Sequence, residues 1–161
     1  MKKIASLLCH EILRPVTFED IINNIDMLRE KAGDRAVLRA IHFVNETKRA
    51  HDEAGSLKCG DLEGFLSLVR RSGDSSFKYL QNVYTNSDVT IQNVSLALAI
   101  SDSILGDDEV SRVHGGGFAG TIQAFVKKEN ADMYREHMDK VFGNGACEVL
   151  AIRKQGGIRV I

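Results

Sequence analysis

Apolar positions follow a helical period over roughly residues 1–106 and then switch to a strand-like one. Leu7, Leu8, Ile12 and Leu13 predict a short helix that ends before Pro15, because proline disfavours helix at the residue preceding it. Thr17 is placed to cap a second helix. Glu19 and Asp20 suit its positive end, and Phe18, Ile21, Ile22, Ile25, Leu28 and Ala32 form one apolar stripe closed by Gly33. Asp34 is expected to cap a longer helix over about 35–58. Val37, Leu38, Ile41, Val44 and Ala54 are spaced for its buried side, and Arg39, Glu46, Lys48, Arg49, Asp52 and Glu53 mostly for its outer side. Cys59-Gly60-Asp61 leads into a helix with Leu62, Phe65, Leu66 and Val69. Gly73-Asp74-Ser75-Ser76 is expected to turn the chain again, into a helix carrying Phe77, Leu80, Val83 and Tyr84. A polar connection follows, and Ile91, Val94, Leu98, Ala99 and Ile104 then continue at mixed helical spacing.

The second part reads differently. Strands are predicted over 109–113 and 121–126. A helix over 130–142 follows, with Met133, Tyr134, His137, Met138 and Val141 inward and Gly143-Asn144-Gly145 at its end. A third strand over 147–152 and a fourth over 158–161 complete a β-β-α-β order, the apolar Val160-Ile161 fitting a strand better than a frayed tail. A helical first half joined to such a segment predicts an α+β fold, its antiparallel sheet covered on one face by helices.

Composition narrows the classes. A chain of 161 residues with 43% hydrophobic residues is long enough for one substantial core or two small subdomains sharing one. Its net charge of −1, with both signs intermixed, gives no footprint for nucleic acid or an anionic membrane surface. Cys9, Cys59 and Cys147 are odd in number and form no Cys-x-x-Cys pair, so reduced, half-buried thiols are expected rather than disulfides or structural zinc. The apolar run after Met1-Lys2-Lys3 is too short for a signal peptide, and the segment over 94–104 is too polar for a membrane span, which points to a cytoplasmic protein. On the long helix His42 and Glu46 lie four apart. A solvent-facing pair or a satisfied interior histidine fits better than a metal site, because no further ligand spacing appears nearby.

Between the first two strands lies Val113-His114-Gly115-Gly116-Gly117-Phe118-Ala119-Gly120-Thr121, with four glycines in six residues. Glycine lacks Cβ, so such a loop reaches φ > 0 and brings several backbone N–H groups to one anion, usually phosphate. Gly115-x-Gly117-x-x-Gly120 formally satisfies the dinucleotide fingerprint, but that motif needs a helix after it, and Thr121-Ile122-Gln123-Ala124-Phe125-Val126 reads as a strand. A protein-kinase glycine loop also lies between strands, yet no Val-Ala-Ile-Lys, His-Arg-Asp or Asp-Phe-Gly follows. On spacing alone, phosphate binding and a long hairpin loop with packing glycines are equally good readings.

Taken in order, Arg39-Ala40-Ile41-His42-Phe43-Val44-Asn45-Glu46, Gly60-Asp61, Ser72 and the run from Arg112 to Thr121 resemble the C-terminal half of galactokinases, members of the GHMP sugar and small-molecule kinases. The likeness covers roughly 35–161 and the preceding helices. The glycine run is similar to the family's third signature motif, with Ala119 in place of a usual glycine and Thr121 in place of a common cysteine.

The resemblance implies a ferredoxin-like GHMP kinase C-terminal domain over 1–161, with a helical subregion over about 1–106 and a β-β-α-β subregion over about 107–161. It implies that His114, Gly115, Gly116, Gly117, Phe118, Ala119 and Gly120 lie near phosphate or substrate. Contact through Ala119 is less secure than contact through Gly115 to Gly117, and His114 has two readings, a phosphate or sugar contact and a structural hydrogen bond. It further implies that the complete enzyme uses ATP and Mg²⁺ to phosphorylate the C1 hydroxyl of galactose, chemistry carried mainly by positioning and charge stabilisation. The family's sugar-recognition segment, Pro-x-x-x-Gly-Leu-x-Ser-Ser phosphate loop and catalytic Asp and Arg belong to the N-terminal half, and none is found here. The chain is thus expected to be a C-terminal portion, inactive alone and without tight ATP binding, partnered by the N-terminal half and able to self-associate through an uncovered interface. The alternatives are a stand-alone sugar- or nucleotide-binding regulatory module without catalysis and an interaction domain only.

Overall fold

The computed structural model describes residues 1–117 and 120–151. The chain forms two compact units, one over Met1–Phe125 and one from Val126 onward. The first begins with α1 (Lys2–Leu7), α2 (Phe18–Asn23), α3 (Ile25–Ala32) and α4 (Asp34–Lys58). α1 stops at Leu7, and Cys9 at φ 61° turns the chain well before Pro15, so Leu8, Ile12 and Leu13, expected in the first helix, lie outside it. Thr17 caps α2 as expected. Its hydroxyl accepts the Asp20 N–H at 3.1 Å, and the Asp20 carboxylate accepts the Thr17 N–H at 2.9 Å, a reciprocal capping box. The predicted single helix over 17–32 is two helices, broken at Asn24, whose side chain donates to the Asp20 carbonyl at 2.9 Å. Such side-chain to backbone bonds compete with helical continuity. Gly33 at φ 82° closes α3, and Asp34 pairs with Arg29 at 2.8 Å instead of capping α4. Ile4, Ala5, Leu13, Val16, Ile21, Leu28, Val37 and Ala40 pack as the core of this helical layer.

Asp61 caps α5 (Leu62–Ser75) by accepting the Gly64 N–H at 2.8 Å. α5 runs through Gly73 without the predicted turn and passes into one π-helical turn, Ser76–Leu80. The reason lies across the interface. A Cβ on Gly73 would come within 3.1 Å of the Arg112 Cβ, so this glycine allows a strand to approach a helix and does not mark a reversal. No helix carries Val83 and Tyr84.

α6 (Asn93–Ile104) precedes an antiparallel ribbon of β1 (Val110–Val113) and β2 (Ile122–Phe125), in register Val110↔Phe125, Ser111↔Ala124, Arg112↔Gln123 and Val113↔Ile122. Alternation along the strands separates two faces. Arg112 and Phe125 meet α5, with Phe125 edge-on to Phe65 at 5.5 Å between ring centroids. Ser111 donates to Asp102 of α6 at 2.9 Å, and Val113 packs with Val83 and Val94. Helices therefore cover both faces of the ribbon, not the single face expected.

The second unit contains a 3₁₀ turn, Lys128–Asn130, and α7 (Ala131–Phe142), ended by Gly143 at φ 105°. Tyr134 and Met138 are buried, whereas Met133, His137 and Val141, predicted inward, are exposed. After the helix the Cys147 N–H bonds the Asp139 carboxylate at 2.8 Å. Residues 147–151 form no strand, and Val149 and Leu150 are exposed, so the third predicted strand is absent there. Ile152 and the fourth predicted strand lie outside the described residues. Mixed helix with a small antiparallel sheet is an α+β arrangement. Among the described residues no helix is long and apolar enough to cross a membrane. Cys9 and Cys59 are exposed and only Cys147 is half-buried, a departure from the expected trio of half-buried thiols.

Candidate functional site

The glycine run joins β1 to β2 as a hairpin loop whose base is closed by the His114 N–H to the Thr121 carbonyl at 3.1 Å. Three of its glycines, Gly115, Gly117 and Gly120, have φ of 61°, 84° and 87°, the left-handed region that side chains rarely adopt. Two of the loop N–H groups are already used internally, Gly117 to the His114 carbonyl at 3.4 Å and Gly120 to the Gly117 carbonyl at 3.0 Å. The N–H groups of Gly115 and Gly116 take no backbone acceptor among the described residues, and both glycines are exposed. Among the described residues they are the loop N–H groups that face solvent without a backbone acceptor. His114 is exposed, with Nδ1 3.2 Å from Oε1 of Gln123 on the neighbouring strand. Phe118 and Ala119 lie outside the described residues.

Gly117 differs from its neighbours. It is buried, and a Cβ there would lie 2.0 Å from the Asn82 carbonyl oxygen and 2.7 Å from Asn82 Nδ2. A side chain at Gly117 would therefore disturb this packing. Gly115 and Gly116 would meet nothing within 4 Å.

Behind the ribbon, α4 and α5 enclose a polar network that the sequence places partly in solvent. Ser72 donates to one oxygen of Glu46, Arg49 donates to the other, and Arg112 Nη1 stands 3.9 Å from Oε1. His42 is buried and pairs with Ser75, Nδ1 to Oγ 2.9 Å, so it is the satisfied interior histidine among the readings of its spacing. Burial is the main cause that lowers its pKa, opposed by the Glu46 charge. Glu53 is half-buried, its Oε1 without a hydrogen-bond partner among the described residues, and burial first, then the Glu46 charge, raises its pKa. Ala54, predicted inward, is exposed. Among the described residues no three His, Cys, Asp or Glu side chains gather as a metal-binding set.

Sequence reasoning missed Asn82, Arg112 and the inward part of Glu46. Asn82 carries no local signal, since its place follows from the π-helical turn and a left-handed Gln81. An arginine opposite a glycine on α5 is legible only once the strand is laid on the helix.

No family model matches the sequence. The chain is similar to galactokinases. It is 26% identical to that of Actinobacillus pleuropneumoniae over 147 residues, 91% of this chain and 34% of that protein. With the galactokinase of Glaesserella parasuis serovar 5 it shares 26% over 124 residues, and with that of Lactobacillus helveticus 29% over 106 residues. The chain spans only 25% to 34% of the length of these relatives.

Proposed function

We propose that this chain is the C-terminal portion of a galactokinase, a GHMP kinase domain that supplies one wall of the cleft in which the ATP γ-phosphoryl group passes to the C1 hydroxyl of galactose. The observation that carries the reading is the pair of exposed N–H groups at Gly115 and Gly116, without a backbone acceptor among the described residues and held in a loop between paired strands. Similarity to galactokinases over 91% of the chain supports it. In this reading the loop dipoles stabilise phosphate charge, Gly117 and Gly120 set the loop's shape, and His114 borders the same edge. Phe118 and Ala119 belong to the same motif.

The donor set fits a phosphate better than a cation. Bound Mg²⁺ would neutralise the transferring phosphates, and the partner N-terminal half would hold it together with ATP, galactose and the catalytic Asp and Arg. The chain alone is then inactive. Calorimetric titration of the chain with MgATP and with galactose tests the reading against a stand-alone regulatory module. The portion of a kinase gives no tight binding of either ligand, whereas tight binding of one of them by the chain alone would replace this proposal with the module.

A further inference from the structure

Asn82 is 2% exposed, yet neither its Oδ1 nor its Nδ2 has a hydrogen-bond partner among the described residues. A buried carboxamide left unpaired costs desolvation free energy that an apolar side chain of similar volume would not incur. Its delivery is costly as well. The π-helical turn closes with the Gln81 N–H on the Ser76 carbonyl at 2.8 Å, Arg39 Nε holds the Leu80 carbonyl at 3.1 Å, and Gln81 adopts φ 54°, ψ 50°. A non-glycine residue in the left-handed region is strained and persists only where its surroundings impose it. These features put Asn82 against Gly117, where a Cβ would lie 2.0 Å from the Asn82 carbonyl oxygen and 2.7 Å from Nδ2.

We propose that Asn82 is the positioning residue of the glycine loop: when phosphate engages the Gly115 and Gly116 N–H groups, the backbone at Gly117 reseats on the Asn82 carboxamide, whose unpaired atoms then gain their partners. The proposal rests on the phosphate reading of the loop. It accounts for an amide where a leucine would fill the space at lower cost, because a carboxamide offers both donors and an acceptor to a backbone that changes its hydrogen bonds. It also gives Gly117 a role distinct from that of its neighbours, as the contact through which the π-helical segment sets the loop.

The test uses the ¹⁵N-labelled chain and inorganic triphosphate at millimolar concentration. Titration is expected to shift the Gly115 and Gly116 amide resonances together with the Asn82 Nδ2 protons, and to slow exchange of the latter. Asn82→Leu is expected to bind triphosphate at least fivefold more weakly with an unchanged or higher Tm, a combination that a merely structural amide does not produce. Loop amides that saturate while the Asn82 Nδ2 protons stay unmoved would overturn the proposal alone, as would an Asn82→Leu affinity within twofold of the parent. Loop amides that never respond in the parent chain would overturn the phosphate reading and this proposal with it. Should Asn82→Leu fail to fold, the side-chain amide resonances of the parent decide.

Discussion

His42 Nδ1 and Ser75 Oγ lie 2.9 Å apart in the contact between α4 and α5, and this bond satisfies a buried histidine for which sequence spacing leaves an exposed pair with Glu46 equally open. Burial lowers the His42 pKa below its ordinary 6.5. The unfolded chain therefore takes up this proton more readily than the folded one. The stability tied to neutral His42 is fully present above pH 6.5 and is lost as pH falls from there through the lower folded pKa. An imidazole NMR titration is expected to show a midpoint below 6.5, and a midpoint above it would contradict the assignment. Glu53 acts in the opposite sense. Its raised pKa removes stability as pH climbs from 4.5 through the folded value, and Glu53→Gln should abolish that part of the pH dependence in urea unfolding.

Gly73 permits a close approach of α5 to β1, with the Arg112 Cβ 3.1 Å from where a Cβ on Gly73 would stand. A larger side chain must push the strand away. Gly73→Val is expected to destabilise the chain by about 1–3 kcal/mol through overpacking, measured by urea unfolding. A loss comparable to that of an exposed helical substitution would mean that the ribbon does not rest on this face.

Within the loop, neighbouring glycines should respond unequally. Gly116 lacks a left-handed φ and has open space around a Cβ, so Gly116→Ala should change stability by no more than about 0.5 kcal/mol. Gly117→Ala meets both a φ of 84° and the Asn82 carbonyl, and should cost about 2 kcal/mol or more. Paired thermal melts check the order. Gly116 is therefore the cleaner place to probe phosphate contact.

Thr17 and Asp20 cap α2 reciprocally, and Thr17→Ala should cost about 1 kcal/mol, read as a lower urea midpoint at unchanged m-value.

Much of this is legible from residue types because it is local. The capping box at Thr17, the reversal at Gly33, the long helix over 34–58 and the hairpin about the glycine run all follow from short-range chemistry. What escaped depends on distant partners. Gly73 looks like a turn residue until Arg112 lies against it, and Glu46 looks solvent-facing until Ser72 and Arg112 arrive from other elements. Asn82 is the extreme case, since its position depends on a π-helical turn held by Arg39, 41 residues away in sequence from Leu80.

ATP-dependent formation of galactose 1-phosphate, assayed with this chain alone and with the chain mixed with the N-terminal portion of the Actinobacillus pleuropneumoniae galactokinase, tests the central claim most directly. The account predicts product only from the mixture. Product from the chain alone would contradict it, as would a mixture that co-elutes as a complex and makes none.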